Sequence, residues 1–474
     1  MEKGVIGRER EISILQDLCS SERAEFVAVY GRRRVGKTYL IQQFFDHQFA
    51  FSATGIIDGQ KDEQLFSFTA SLIQAGYSGS QPKNWLQAFE LLKSVLEHRN
   101  DNGKCVIYID ELPCFDTPKS GFVRALAYFW NTWACMRNNV ILIVCGSATS
   151  WMIDNIIDNH GGLHNRITHS ICLHQFTLGE TEKYLESRNI HWSRSIIAEA
   201  YMMFGGIPYY LSLLNGRESL AQNIDRLYFS KHAELGQEYH RLYASLFKSP
   251  EGYLRIIELL GKNKQGLTRG EIVEALKIPS SGTLTSQLEN LVHCDIIRRY
   301  MTKRNGKPKT NDAYYQLVDL FSLFHLNFSK KLTSEDYWEQ HLNTPALNTW
   351  MGLAFEHVCY VHIAQIRHAL GLDRIAVEYY SWRSSQSPKA QIDMIIERAD
   401  HLINLCEIKF TYALYTITAS EAMNMRNRIA AFQRESNTKS GILPTWITPY
   451  GLFRNQYAAE IYYQVTLDDL FLME

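Results

Sequence analysis

Gly31-Arg32-Arg33-Arg34-Val35-Gly36-Lys37-Thr38 is the stretch on which the reading of this chain turns. It fits the spacing GxxxxGK[ST]. The apolar run EFVAVY (Glu25–Tyr30) precedes it and a helical segment, YLIQQFF, follows. A phosphate-cradling loop needs this context: glycines let backbone N–H groups approach phosphate oxygens, and the helix N-terminus adds positive potential. Gly31, Arg32, Arg33, Arg34, Val35, Gly36, Lys37 and Thr38 are therefore the expected contacts to ATP. Lys37 is expected at the β- and γ-phosphates and Thr38 on Mg²⁺. A chance glycine turn is the bland alternative, and the flanking strand and helix argue against it.

Working outward, Val106-Ile107-Tyr108-Ile109-Asp110-Glu111 puts two carboxylates at the end of a buried strand. Asp110 would hold Mg²⁺ and Glu111 would polarise an attacking water, which predicts hydrolysis as well as binding. Alone, such a pair reads as a solvated strand end; with the loop upstream, the chemical reading prevails. Around these two motifs, residues 1–176 alternate strand and helix patterns. Strands are expected at Glu25–Tyr30, His47–Ser52, Lys104–Asp110, Val140–Gly146 and Ser170–Phe176. Helices are expected at Ile41–Phe45, Glu63–Gln74, Trp85–His98 and Phe122–Met136. The alternation predicts a mostly parallel sheet flanked by helices.

Together, IGRERE (Ile6–Glu11), GRRRVGKT, the YIDE box, CGSATSWM and GGIPYYL resemble the archaeal-type ATPases, a branch of the P-loop STAND/AAA+ group, over roughly residues 4–245. The resemblance implies that Arg8 and Glu9 approach the base and ribose, and that Gly205–Tyr209 lies in a helical lid spanning residues 177–247. It makes Ser147, after the strand Val140–Gly146, a polar sensor of the γ-phosphate. A strand-terminating serine is the other reading. Arg166, in Gly161-Gly162-Leu163-His164-Asn165-Arg166, could act as an arginine finger toward a neighbouring subunit or be a plain surface arginine. The family often has Tyr-Gly-Arg where this chain has His164-Asn165-Arg166, and no lid arginine stands beside Pro208.

Residues 248–335 read as a winged helix. Its parts are a helix at Tyr253–Leu260, a second one capped by Thr268, a recognition-type helix at Ser280–Cys294, and a hairpin. Residues 250–332 hold thirteen Lys and Arg against eight Asp and Glu, with Arg298, Arg299, Lys303, Arg304, Lys307 and Lys309 near the hairpin. Such a patch suits phosphate contacts, with DNA the expected partner before RNA. A protein–protein joint with a solvated lysine tip fits the same residues.

Residues 336–474 begin with a helix around Gly352–Ala369. Strands are expected at Arg374–Tyr380, Gln391–Glu397 and His401–Phe410, then a helix at Ala419–Arg434. Glu407 and Lys409 are two apart in a strand and share a face. A hairpin brings Asp393 alongside, and Glu356 lies on an apolar helix where a carboxylate is costly to bury. Three carboxylates and a lysine suit metal-dependent phosphodiester hydrolysis. Asp393, Glu407 and Glu356 would hold Mg²⁺ or Mn²⁺, with the Ile408 carbonyl as a further ligand, and Lys409 would position the attacking water. These residues resemble the PD-(D/E)xK nuclease superfamily over roughly residues 345–435, in the form often fused to archaeal-type ATPases, with Gln-Ile-Asp in place of Pro-Asp. A degenerate binding module is the competing view. Trp382 and Arg383, in a substrate-side loop at Tyr379–Lys389, are candidate stacking residues; a plain surface loop is the alternative.

The expected architecture is thus multidomain α/β. It comprises a P-loop parallel αβα sheet (1–176), a helical lid (177–247), a winged helix (248–335) and a PD-(D/E)xK-like α/β domain (336–474). A formal net charge of −1 gives no global field toward nucleic acid or membrane. None of the nine cysteines forms a CxxC pair, which argues against a zinc knuckle or disulfide framework and for a reducing cytoplasm. No apolar stretch is of membrane-spanning length. The leading expectation is an ATP-regulated nuclease acting on DNA, with homo-oligomer formation open. The alternatives are a STAND-type assembly switch and an ATP-dependent DNA-binding protein that does not cleave.

Overall fold

The computed structural model describes residues 4–99, 103–147, 149–158, 161–247, 249–304, 307–328, 336–342, 344–384 and 389–472. The chain divides into two compact units, one of residues 1–174 with 246–248, the other of residues 175–245 with 249–474.

The first unit is built on β1 (Glu25–Tyr30), β2 (Phe51–Thr54), β3 (Cys105–Asp110), β4 (Val140–Gly146) and β5 (His169–Cys172). Their order is β2-β3-β4-β1-β5 and every pairing is parallel. Parallel neighbours require crossovers, here including the helices Lys37–Phe44, Lys61–Gln74, Trp85–Glu97 and Phe122–Thr132. The strands β1, β3 and β4 are buried almost throughout, so their sequences are continuous apolar runs rather than alternations. On one face, Phe68, Trp85, Phe89, Phe115 and Phe122 form an aromatic core, with the Trp85 and Phe122 rings 4.9 Å apart.

Two strand ends depart from expectation by four residues. The second strand starts at Phe51 rather than His47, because Asp46 and His47 both take left-handed conformations and turn the chain after the preceding helix. The fifth stops at Cys172, where its partner β1 ends opposite Tyr30.

The second unit opens with the helices Leu178–Ser187, Arg194–Phe204, Pro208–Ser212, Leu220–Ile224 and Glu238–Leu246. The break at Gly205-Gly206 is steric: a Cβ on Gly206 would lie 2.0 Å from the Phe176 carbonyl oxygen. Three helices follow, Glu251–Lys262, Arg269–Leu276 and Gly282–His293, with β6 (Leu267–Thr268), β7 (Ile297–Arg304) and β8 (Lys307–Leu317). These strands form an antiparallel sheet in the order β6-β8-β7. Thr268 caps its helix in a reciprocal box with Glu271. The side chains of Lys303, Arg304, Lys307 and Lys309, expected to make a basic hairpin, lie outside the described part.

The helix Pro345–Val361 leads to β9 (Val377–Arg383), β10 (Gln391–Arg398), β11 (Leu402–Ile408), the helix Ala419–Ser436, β12 (Gly441–Ile447) and β13 (Tyr463–Val465). The sheet order is β13-β12-β11-β10-β9. The strands β9, β10 and β11 are antiparallel neighbours; β12 and β13 join in parallel. The helix expected to run unbroken to Ala369 is interrupted at His362. That imidazole is fully buried, and its Nε2 accepts the Leu178 N–H at 2.8 Å. Asp225 likewise accepts the Trp338 and Glu339 N–H groups at 2.7 and 3.0 Å. The helices of residues 175–245 are thus bonded into the same unit as the C-terminal sheet.

Candidate functional site

In an open parallel sheet, ligands meet the carboxyl ends of the strands. Three of those ends carry the motif residues: Gly31–Thr38 follows β1, Asp110 closes β3, and Ser147 follows β4. Gly31 has φ 138°, and a Cβ there would lie 2.3 Å from the Leu173 carbonyl oxygen. Gly36 and Arg34 are also left-handed, so the loop curls back before Lys37 starts its helix. Lys37 is buried, and its Nζ donates to the Gly31 and Arg32 carbonyls at 3.0 and 2.9 Å. Arg32 and Val35 are buried; Arg33 and Arg34 are partly exposed. The Arg8 guanidinium donates to the carbonyls of Val35 and His174 at 3.1 and 2.7 Å. It therefore ties the loop to the end of the fifth strand.

The two halves of the site are joined directly. The Thr38 hydroxyl donates to Asp110 Oδ2 at 2.8 Å, and the Glu111 N–H donates to Asp110 Oδ1 at 2.9 Å. Glu111 has φ 46°, which turns the chain sharply after the strand. The Ser147 hydroxyl donates to Glu111 Oε1 at 3.0 Å. Lys37, Asp110 and Glu111 all act electrostatically on Cys145, whose thiol is pushed well up, chiefly by burial. Cation, hydroxyl and paired carboxylates around a glycine loop form a donor set suited to a magnesium polyphosphate. Arg166 is exposed on the turn at 162–166.

In the second unit, Glu356 and Asp393 are both raised above the usual carboxylate range. Burial, then the Asp393 carboxylate, pushes the Glu356 carboxyl well up, against the pull of Lys409. Burial, then Glu407, pushes Asp393 up, although its Oδ2 accepts the Ile408 N–H at 3.1 Å. Glu407 is buried and held between two cations: Lys409 Nζ lies 2.8 Å from Oε1, and Arg428 bonds Oε2. Burial works to lower the Lys409 ammonium, but Glu407 and Asp393 together leave the group raised. The four expected residues therefore belong to one electrostatic cluster. Among the described residues, however, no three His, Cys, Asp or Glu side chains are grouped so as to hold a metal ion. Glu407 is instead paired with Lys409 and Arg428.

Several participants had no motif to announce them. Arg428 reaches Glu407 from the helix Ala419–Ser436. The Tyr360 hydroxyl bonds the Asp393 carbonyl and lies 2.7 Å from the Ser381 hydroxyl. Arg298, from β7, donates to Ser381 at 2.8 Å and stacks 3.3 Å above the Tyr360 ring. Burial pushes the His357 imidazole down to about 3. One expectation is corrected: Trp382 is not a loop residue available for stacking. It lies on β9, buried, with its ring edge-on to Phe432. Arg383 is partly exposed, 5.7 Å from the Tyr314 ring. Ser385–Pro388, in the same expected loop, lie outside the described residues.

Comparison with known proteins bears on the first unit and on part of the second. Residues 6–214 match the family described as an ATPase domain predominantly from Archaea. An uncharacterized protein of Methanocaldococcus jannaschii is 25% identical over 366 residues, covering 74% of this chain and 76% of its own. Among solved structures, the Walker-type ATPase of Pyrococcus abyssi aligns with a TM-score of 0.48 at 17% identity, over 68% of this chain and 96% of that one. The ORC2 protein of Aeropyrum pernix aligns with a TM-score of 0.42 at 13% identity, over 70% and 96%. Residues 6–214 of this chain form a P-loop ATPase domain of the archaeal type.

Proposed function

We propose that ATP binding and hydrolysis at Gly31–Thr38 control a second, metal-dependent site that cuts nucleic acid in the C-terminal region. For the nucleotide half, the carrying observation is the 2.8 Å bond from Thr38 to Asp110, which joins motifs 72 residues apart. In this reading Lys37 binds the β- and γ-phosphates, Thr38 and Asp110 hold Mg²⁺, and Glu111 orients the attacking water. Ser147 restrains Glu111, Arg8 steadies the loop, and exposed Arg166 is available to a second copy.

For the second half, the carrying observation is the elevation of Glu356 by burial and Asp393, and of Asp393 by burial and Glu407, beside Lys409. Carboxyls that repel one another fit a hard divalent cation, which removes the repulsion. Glu356, Asp393 and, once turned from Arg428, Glu407 would hold Mg²⁺ or Mn²⁺. That ion would polarise a phosphodiester, while Lys409 holds the water. The order of helix, three antiparallel strands, helix and parallel strand supports a PD-(D/E)xK-like fold. The three helices with their small antiparallel sheet support a winged helix, a partner surface for DNA. The helices of residues 175–245, which follow the ATPase sheet in the chain, share a unit with the C-terminal sheet. All nine cysteines are free, in keeping with a cytoplasmic setting.

The pairing of Glu407 with Arg428 favours a second reading, a C-terminal module that binds DNA or a partner without cleaving. Purified protein incubated with plasmid and with single-stranded DNA or RNA, in Mg²⁺ or Mn²⁺, with and without ATP, separates the two. Cleavage that disappears in Lys409→Ala supports the nuclease. Absence of cleavage on every substrate with either metal rules it out.

A further inference from the structure

The helix Pro345–Val361 and the strands β9 and β10 do not close the carboxylate cluster alone. A cavity of about 280 Å³ lies against Glu356 and Asp393, and part of its wall comes from the three-helix region, through Lys264, Gln265 and Gln316. Arg298 pins that wall in place: it donates to Gln316 at 2.7 Å on its own side and to Ser381 at 2.8 Å across the boundary. Gln316 in turn donates to the Lys264 carbonyl at 2.6 Å.

Three features of this cavity limit what can enter. Its volume is at the small end for sites that enclose a drug-sized ligand, about 300–1,000 Å³. A duplex, whose major groove alone is about 12 Å wide, has no room there. Its lining is amphoteric: carboxyls of Glu356 and Asp393 stand with the cations Lys264 and Arg383, and the amides Gln265, Asn348 and Gln391 complete the rim. Lys264 lies close enough to act electrostatically on Glu356. Cations meet a phosphate, and amides match the donor and acceptor edge of an unpaired base.

We infer that this cavity admits one unpaired nucleotide at a time, so that the substrate class of the carboxylate site is single-stranded nucleic acid rather than duplex. The inference rests on the nuclease reading for its consequence but not for its binding test. Lys264 and Arg383 hold the phosphate, and the three-helix region serves as a wall that excludes a second strand.

The test uses the full-length protein in Ca²⁺, with a fluorescent oligonucleotide carrying one 4-thiothymidine, offered single-stranded or as a blunt duplex. The expected result is binding about tenfold tighter for the single strand. Photo-cross-links are expected within Asn348–Tyr360 or at Gln391. Lys264→Ala with Arg383→Ala loses that preference, while Arg383→Lys, checked for folding by thermal melting, keeps most of it. Equal affinity for duplex, or cross-links from the single strand only outside the cavity, overturns the inference. Cleavage is read separately in Mg²⁺. Single-strand binding without any cleavage leaves this inference standing and defeats the nuclease; cleavage of duplex as fast as single strand does the reverse.

Discussion

Asp110 and Asp393 both stand on sheet strands beside a second carboxylate, yet the two regions hold their charge in opposite ways. Asp110 is hydrogen-bonded on both oxygens, by the Thr38 hydroxyl and the Glu111 N–H, and Lys37 lies in the same loop system. Asp393 accepts one backbone N–H and is pushed up by burial and Glu407, while Glu356 is pushed up beside it. The first region is organised in advance by protein donors. The second stores repulsion that a cation would relieve. The contrast teaches that the ATP site is set by local chain geometry, whereas the carboxylate cluster is set by burial and by side chains from distant elements.

The largest effect should come from breaking the organised side. Glu111→Gln is expected to lower the ATPase turnover by about 10²-fold or more while ATP binding persists, read by phosphate release and by nucleotide titration. Retained turnover would remove Glu111 from the chemistry. On the other side, Trp382→Ala should cost about 3–5 kcal/mol of stability in a denaturant titration, because the ring fills the core under β9. A loss below about 1 kcal/mol would return Trp382 to the surface role expected from sequence.

The repulsion itself is testable by pH. Glu356 and Asp393 are raised to about 8 and about 6, above their values in an unfolded chain. Each therefore favours the fold while protonated, and that contribution is lost as pH rises through the folded value. In EDTA the melting temperature should fall by roughly 2–4 °C or more between pH 5 and pH 8, and less in Glu356→Gln. Added Mg²⁺ should recover more at pH 8 than at pH 6, since metal binding competes with protons. A flat profile in EDTA would erase the contrast. The smallest effect expected is from Tyr360→Phe. Losing the hydroxyl that bonds the Asp393 carbonyl should cost about 1 kcal/mol, measured by thermal melting.

The organised side was also the legible one. Gly31–Thr38 is contiguous, and its function depends on backbone conformation that glycine spacing encodes directly. The strands beside it were readable as apolar runs, and β1 and β4 fall where expected. Errors arose where tertiary partners decide. The left-handed pair Asp46 and His47 delays β2. His362, at the break in a helix whose pattern runs on, accepts the Leu178 N–H from 184 residues away. Glu356, Asp393, Glu407 and Lys409 could be named from polarity and two-residue spacing. That Arg428 would claim Glu407, and that Arg298 and Lys264 would help wall the cavity, depends on packing between elements far apart in sequence. No periodicity carries that information.

The central claim is that the organised site governs the repulsive one. Its most direct measurement is the rate at which a labelled single strand is cut in Mg²⁺, with and without ATP, by wild type and by Glu111→Gln. The account predicts that ATP changes the wild-type rate severalfold and that Glu111→Gln, unable to turn over, stays fixed in the ATP-bound rate. Equal rates with and without ATP in the wild-type protein would contradict it.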